Sequence, residues 1–191
     1  FNNITTTGQG VFDRNNYIKL DNTTGLFSKE YTFLFSYEKT DQKPATIFNN
    51  FGGFTYPTSG FEFGINSANK LYYECYSDSL PLVCSLETHS AAKAIYYVQG
   101  QDNKVDLGVF NLNREYFDSQ SFEINDNFIR ESYDWYIGTG TYNCDGYLDK
   151  FMYFDKALTR DELTLVAQSF TKNVTGIPDR IRVTSASITG Y

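Results

Sequence analysis

Tyr72, Glu74 and Tyr76 occupy alternate positions of the run Leu71-Tyr-Tyr-Glu-Cys-Tyr-Ser77. Successive side chains of a strand point to opposite faces, so this spacing puts two phenol rings and a carboxylate on one side. Rings laid against the apolar face of a pyranose, with carboxylate or amide groups bonded to its hydroxyls, are the chemistry of saccharide recognition. A second set lies in Gly138-Thr-Gly-Thr-Tyr-Asn-Cys-Asp-Gly146, where Tyr142, Asn143 and Asp145 offer a stacking ring and two polar groups on a Gly-rich connection. Tyr72, Glu74, Tyr76, Tyr142, Asn143 and Asp145 are therefore the candidate ligand-binding residues. The competing expectation for the first set is that its face packs under a neighbouring strand, loop or subunit, because tyrosines are common on β-rich surfaces.

Other chemistries find no matching spacing. Hydrolysis of a glycoside needs two carboxyl groups facing one cleft. The nearest acids, Glu123 and Asp126 in Glu123-Ile-Asn-Asp-Asn, lack the alternation that would bring them together. His89 is the sole histidine and stands in the polar stretch Glu87-Thr-His-Ser-Ala, the setting of a solvated loop residue rather than a general base. Asp145 and Asp149 alone fall short of the roughly six to eight oxygen ligands calcium takes. Cys75, Cys84 and Cys144 make no Cys-x-x-Cys or Cys/His zinc pattern. The expectation is no catalytic residue, no metal and no cofactor.

The elements that position these groups are strands. Aromatic residues make up 18% of the 191-residue chain, nearly all Phe and Tyr, which is strand-and-turn composition for one compact domain. Strand-like runs are predicted at 16–20, 31–37, 45–49, 61–65, 71–77, 82–87, 94–99, 105–111, 121–124, 135–137 and 148–154, separated by turn chemistry such as Asp41-Gln-Lys-Pro44, Asn66-Ser-Ala-Asn69 and Gln99-Gly-Gln-Asp-Asn103. Many short strands without intervening helices imply an all-β, two-sheet antiparallel sandwich. The pattern sends Leu71, Tyr73 and Cys75 with Leu82, Cys84 and Leu86 to one face of a hairpin, and aligns Cys75 with Cys84. Two buried free thiols are expected there in preference to a bridge. Trp135 shares strand parity with Ile137 and is expected in the core. One helix is predicted from Leu158 to Phe170, opened by a Thr159/Glu162 capping box and docked through Leu163, Val166 and Phe170. Residues 1–170 read as the domain, and 171–191 as a linker and one further strand leading to or from another domain.

A net charge of -7 without clustered Lys and Arg argues against nucleic acid as a partner. No apolar run approaches the roughly 20 residues of a membrane-spanning helix, so no membrane insertion is expected. The sequons at Asn3, Asn22 and Asn173 occur at the frequency chance predicts and carry no weight. A chain that begins at Phe1 reads as a segment of a longer polypeptide.

The C-terminal order Ile137-Gly138, Gly146-Tyr-Leu-Asp149 and Ala157-Leu-Thr-Arg-Asp-Glu-Leu163 resembles the signature of the concanavalin A-like lectin/glucanase superfamily in its laminin-G-like jelly-roll branch. Val11 to Leu20, Tyr31 to Tyr37 and Lys104 to Asn113 resemble that branch's opening strand, long second strand and later hairpin, so the likeness spans residues 10 to 170. It implies a jelly roll in which Asp149 is structural. The Glu-x-Asp-x-x-Glu strand of the superfamily's glucanases is missing. What the resemblance implies is a non-catalytic carbohydrate-binding or adhesion module of a larger extracellular or virion protein, such as a phage tail or fibre component. Its partners would be a surface glycan and other subunits or domains of the same assembly. A purely structural assembly module and an unfamiliar glycoside hydrolase are the alternatives.

Overall fold

The computed structural model describes residues 10–13, 17–21, 30–50, 60–76, 81–87, 93–111, 113–124, 134–171, 181–182 and 186–189. The elements among them are β1 (Gly10–Asp13), β2 (Ile18–Asp21), β3 (Tyr31–Lys39), β4 (Ala45–Asn49), β5 (Gly60–Ile65), β6 (Lys70–Tyr76), β7 (Pro81–Glu87), β8 (Lys93–Gln101), β9 (Lys104–Asn111), β10 (Tyr116–Glu123), β11 (Trp135–Ile137), β12 (Asp145–Phe154), α1 (Arg160–Thr171), β13 (Ile181–Arg182) and β14 (Ala186–Thr189). Two seven-stranded sheets result, ordered β10-β9-β8-β3-β12-β1-β13 and β14-β2-β11-β4-β5-β6-β7. Their pairs are antiparallel except where β13 joins β1 and β14 joins β2. This is the predicted all-β sandwich with one C-terminal helix. β10 begins well before the predicted 121–124 run because it pairs with β9 continuously from Tyr116↔Asn111 to Glu123↔Lys104; ladder bonds to a neighbour, more than propensity, set its length. Ile181–Arg182 and Ala186–Thr189 supply two short strands, one at the edge of each sheet.

Alternation builds the core. Directly opposed residues run across the second sheet as Ile18, Ile137, Phe48, Phe63, Tyr73 and Cys84, all facing inward. They meet Phe33, Phe35, Phe151 and Tyr153 from the first sheet. Phe33 lies at the centre, its ring centroid 4.6 Å from Phe48, 5.1 Å from Phe63 and Tyr153, and 5.8 Å from Trp135 and Phe151. Trp135 and Ile137 are buried together, as their shared parity requires. The three cysteines are buried and unbridged. The hairpin register differs from the expected alignment: Cys75 opposes Leu82, and Cys84 opposes Tyr73. A two-residue offset preserves the side-chain face, so Leu71, Tyr73, Cys75, Cys84 and Leu86 stay inward.

β3 is buried from Tyr31 to Tyr37, on both of its faces. Its outer side, through Leu34, joins Ile95, Tyr97, Phe110 and Phe117 beneath Leu158, Leu163 and Ala167. The capping box forms: the Glu162 amide donates to Thr159 Oγ1 at 3.3 Å and the Thr159 amide to Glu162 Oε2 at 2.8 Å. Lys156, 2.6 Å from Glu162 Oε1, holds that carboxyl down at about 2, helped by the Thr159 hydrogen bonds. Val166 and Phe170 flank the contact face, with Leu163 and Ala167 at its centre.

Truncating Phe33 to Ala removes the ring on which both sheets converge, and urea denaturation is expected to show a loss of about 3–5 kcal/mol. Thr159→Ala leaves α1 without its cap and is expected to lose about 1 kcal/mol, with Thr159→Ser recovering most of it.

Candidate functional site

The outer face of the second sheet carries the polar counterpart of the core row. Across β2, β11, β4, β5, β6 and β7 the directly opposed residues are Lys19, Tyr136, Asn49, Glu62, Glu74 and Val83. Beside it runs Thr46, Gly64, Tyr72 and Ser85. Aliphatic and aromatic inward neighbours force these residues outward, yet all of β5 is buried, Glu62 included at 0% exposure. What covers it is the connection from Gly138 to Cys144.

That loop is fastened to the sheet at several points. Gly138 N–H donates to Ile47 O at 2.9 Å, and Asn49 Nδ2 donates to Thr139 O. Thr141 N–H donates to Glu62 Oε2 at 3.0 Å, and Tyr142 N–H to Thr46 Oγ1 at 3.1 Å. Gly140 rests directly on the floor: a Cβ there would lie 2.5 Å from Thr46 Cγ2 and 2.8 Å from Glu62 Oε2, so the approach requires glycine. Beneath the loop, the Tyr72 hydroxyl reaches across the position of Gly64, donating to Glu62 Oε1 at 3.1 Å and lying 3.0 Å from Thr46 Oγ1.

Burial dominates the electrostatics. Loss of water pushes the Glu62 carboxyl up to about 7, against hydrogen bonds from Thr141 and Tyr72 that favour its charged form, while the like charge of Glu74 adds to the rise. Desolvation likewise raises the Tyr72 phenol well above its ordinary range.

The two sequence-predicted sets meet on this face. Tyr72 is 4% exposed and is the floor of the site rather than an open stacking ring, which agrees with the competing expectation that its face packs under a loop: the loop and the Thr46 and Glu62 side chains close over it. Glu74 is half-buried beside Glu62. Tyr76 pairs with Gly60 and Pro81 in the ladder, and its side chain lies outside the described residues. Tyr142 is 43% exposed on top of the loop. Asn143 is exposed and accepts from Thr139 Oγ1 at 3.0 Å. Asp145 turns to the first sheet, where its Oδ1 accepts from Thr40 Oγ1 at 3.1 Å and its carbonyl from Tyr37 at 2.7 Å. Asp149 pairs with Lys93. His89 and Asp126 lie outside the described residues.

Sequence reasoning overlooked Thr46, Asn49, Glu62 and Tyr136. The signal was available for two of them: Glu62 stands between core-like Phe61 and Phe63, and Tyr136 between Trp135 and Ile137, so parity turns both outward. Tyr136 is flanked by Tyr17, 5.9 Å away between centroids, and by Lys19, itself paired with Asp134 at 2.8 Å. The first sheet also has a polar recess lined by Gln99, Asp106 and Ser121 among others, but no aromatic residue lines it.

No protein-family model and no curated protein sequence matches the chain. Solved structures do. The chain is similar to the CBM40 of a Ruminococcus gnavus IT-sialidase, solved bound to α2,3-sialyllactose, with a TM-score of 0.59 and 14% identity over 74% of this chain and 84% of that one. It is similar to domains LG4-5 of the mouse laminin α1 chain, with a TM-score of 0.59 and 10% identity over 83% of this chain and 44% of that one. The heptameric SAP-like pentraxin of Limulus polyphemus matches with a TM-score of 0.54 and 13% identity over 81% of this chain and 83% of that one. The fold is thus the concanavalin A-like jelly roll that the Ile-Gly, Gly-x-Leu-Asp and Ala-Leu-Thr-x-x-Glu-Leu motifs imply.

The pH dependence of stability follows from Glu62. Its folded pKa of about 7 lies above the ordinary 4.5, so the folded protein holds the proton more tightly, and stability present below pH 4.5 is lost as pH rises through 7. At about 1.4 kcal/mol for each pH unit, the full effect is about 3 kcal/mol. Glu62→Gln carries no such charge, so its stability relative to wild type is expected to improve by up to that amount, about 3 kcal/mol, between pH 4.5 and pH 8 in urea titrations.

Proposed function

We propose that this chain is a non-catalytic carbohydrate-binding module that holds a surface glycan on the outer face of the second sheet, at the 138–144 loop. The observation that carries the reading is an exposed Tyr142 whose backbone is fixed by hydrogen bonds above a polar row, with exposed Asn143 next to it in the loop and Glu74 opposite Glu62 in that row. A loop already held in place binds without first losing its backbone freedom. The similarity of fold to a module solved with sialyllactose supports the same reading. Glu62 and Glu74 stand side by side on this face, and the chain's net charge is -7, so a neutral hydroxylated glycan fits the surface better than an acidic one. Binding of this kind serves attachment, as part of a larger extracellular or virion protein, a phage tail or fibre being the virion case.

One observation favours a second reading. Two glutamates on adjacent strands, one with a raised pKa, resemble the acid and partner of a glycoside hydrolase. Glu62, however, is sealed from solvent and bonded to Thr141 and Tyr72, where it meets no glycosidic oxygen. Binding without turnover is the expected outcome.

A glycan array including neutral oligosaccharides and sialyllactose tests this. Tyr142→Ala is expected to weaken glycan binding by roughly 1–3 kcal/mol without changing the melting temperature, since an exposed ring contributes little to the core. Tyr72→Ala is expected to destabilise the fold itself. Absence of binding to any glycan would leave the structural-module reading. Release of product from the same panel, abolished by Glu62→Gln or Glu74→Gln, would make the protein an enzyme.

A further inference from the structure

We infer that Glu62 is the positioning residue of the binding loop, and that closure of residues 138–144 over it is coupled to the uptake of one proton. The consequence for affinity rests on the glycan reading above; the coupling itself does not.

The geometry is that of a lid seated on a carboxyl group. Thr141 N–H bonds Oε2 and the backbone of Gly140 lies against the same oxygen, so the loop itself is what separates this side of Glu62 from water. Among the described residues, Glu62 faces Tyr72 and Glu74 from β6, Asn49 from β4, and Gly140 and Thr141 from the loop, with Thr46 reached through Tyr72. Glu74 is the charged member of that set, and its charge opposes ionisation of Glu62. No cation is among them.

The direction of coupling is the reverse of what the Thr141 hydrogen bond alone would give. An ionised carboxylate accepts that bond more strongly, which would tighten the loop at high pH. Desolvation is the larger effect, however, and the share of it that the loop supplies acts only while the loop is shut. Lifting the loop returns Glu62 to water and lowers its pKa, so the open form prefers the ionised group and the closed form the neutral one. The closed site can hold the neutral group without moving a heavy atom. The added proton is donated from Oε1 to the Tyr72 oxygen, and Tyr72 then donates to Thr46 Oγ1, a contact in which either oxygen can be the donor. Oε2 keeps accepting from Thr141. Closure is therefore favoured below neutral pH and weakened above it, and Tyr142 and Asn143 move with the loop that carries them.

Amide hydrogen exchange on the full chain, without ligand, tests the coupling. Protection factors of Thr141 and Tyr142, corrected for the intrinsic pH dependence of exchange, are compared between pH 5.5 and 8.5 with those of Phe33 and Phe35 as reporters of global opening. Wild type is expected to lose on the order of tenfold or more protection at the two loop amides, beyond any loss in the core reporters, as pH crosses 7. Glu62→Gln should keep its loop protection across the range. Tyr72→Phe removes a donor to the ionised form and should move the midpoint to higher pH. Loop protection that is flat in wild type, or that falls equally in Glu62→Gln, overturns the inference. Glycan binding measured on the same samples separates the two readings: flat exchange with intact binding sinks the coupling alone, and a pH-responsive loop that binds no glycan at either pH sinks the glycan reading alone.

Discussion

The inner faces of both sheets are committed to a single layer of aromatic rings, with Phe33 touching partners from both sides. Because strands alternate, each inward ring obliges its neighbours in the chain to face outward. The core therefore decides which residues are available for any other task. On the first sheet the outward Leu34, Ile95, Tyr97, Phe110 and Phe117 form an apolar patch, covered by Leu158 and by Leu163 and Ala167 of α1. On the second they are polar, and a loop rather than a helix covers them. The two outer faces thus divide the labour, one completing the fold and the other presenting a surface.

Burying Glu62 at the centre of the second sheet makes its surroundings obligatory. A carboxyl group without water must be satisfied by the protein, and Thr141 and Tyr72 provide the donors. Tyr72 in turn depends on Thr46 for a partner, and the loop depends on Gly140 for close approach. Residues that look unrelated along the chain become one unit: Thr46, Glu62, Tyr72 and Gly140 support the placement of Tyr142. The loop that carries this exposed residue is thus anchored through its backbone to a buried polar network.

Such networks also carry risk for the fold. Removing one member strands the others without partners, whereas an uncharged replacement of the same shape leaves the hydrogen bonds possible and removes the desolvation penalty. Glu62 consequently holds stability and loop placement in tension: its burial disfavours the ionised carboxylate, while its Oε2 fastens the loop through Thr141.

Periodicity and turn chemistry by themselves determined that the chain is an all-β sandwich, that Trp135, Tyr73 and Cys75 are core, that Thr159 and Glu162 cap a helix, and that Tyr72 and Glu74 face the other way. These are local consequences of side-chain alternation and of backbone amides that need partners. The hairpin register was not local: Cys75 meets Leu82 because the ladder aligns two strands as a whole, and shifting by two residues leaves the hydrophobic pattern unchanged. Nor could the sequence reveal that the 138–144 loop lies on Glu62, since residues 62, 72 and 141 are brought together only by the strand order β11-β4-β5-β6. Parity can say that Tyr72 leaves the core. Whether it then meets water or another part of the chain depends on what the tertiary structure places above it, and here that is a loop from more than sixty residues away in sequence.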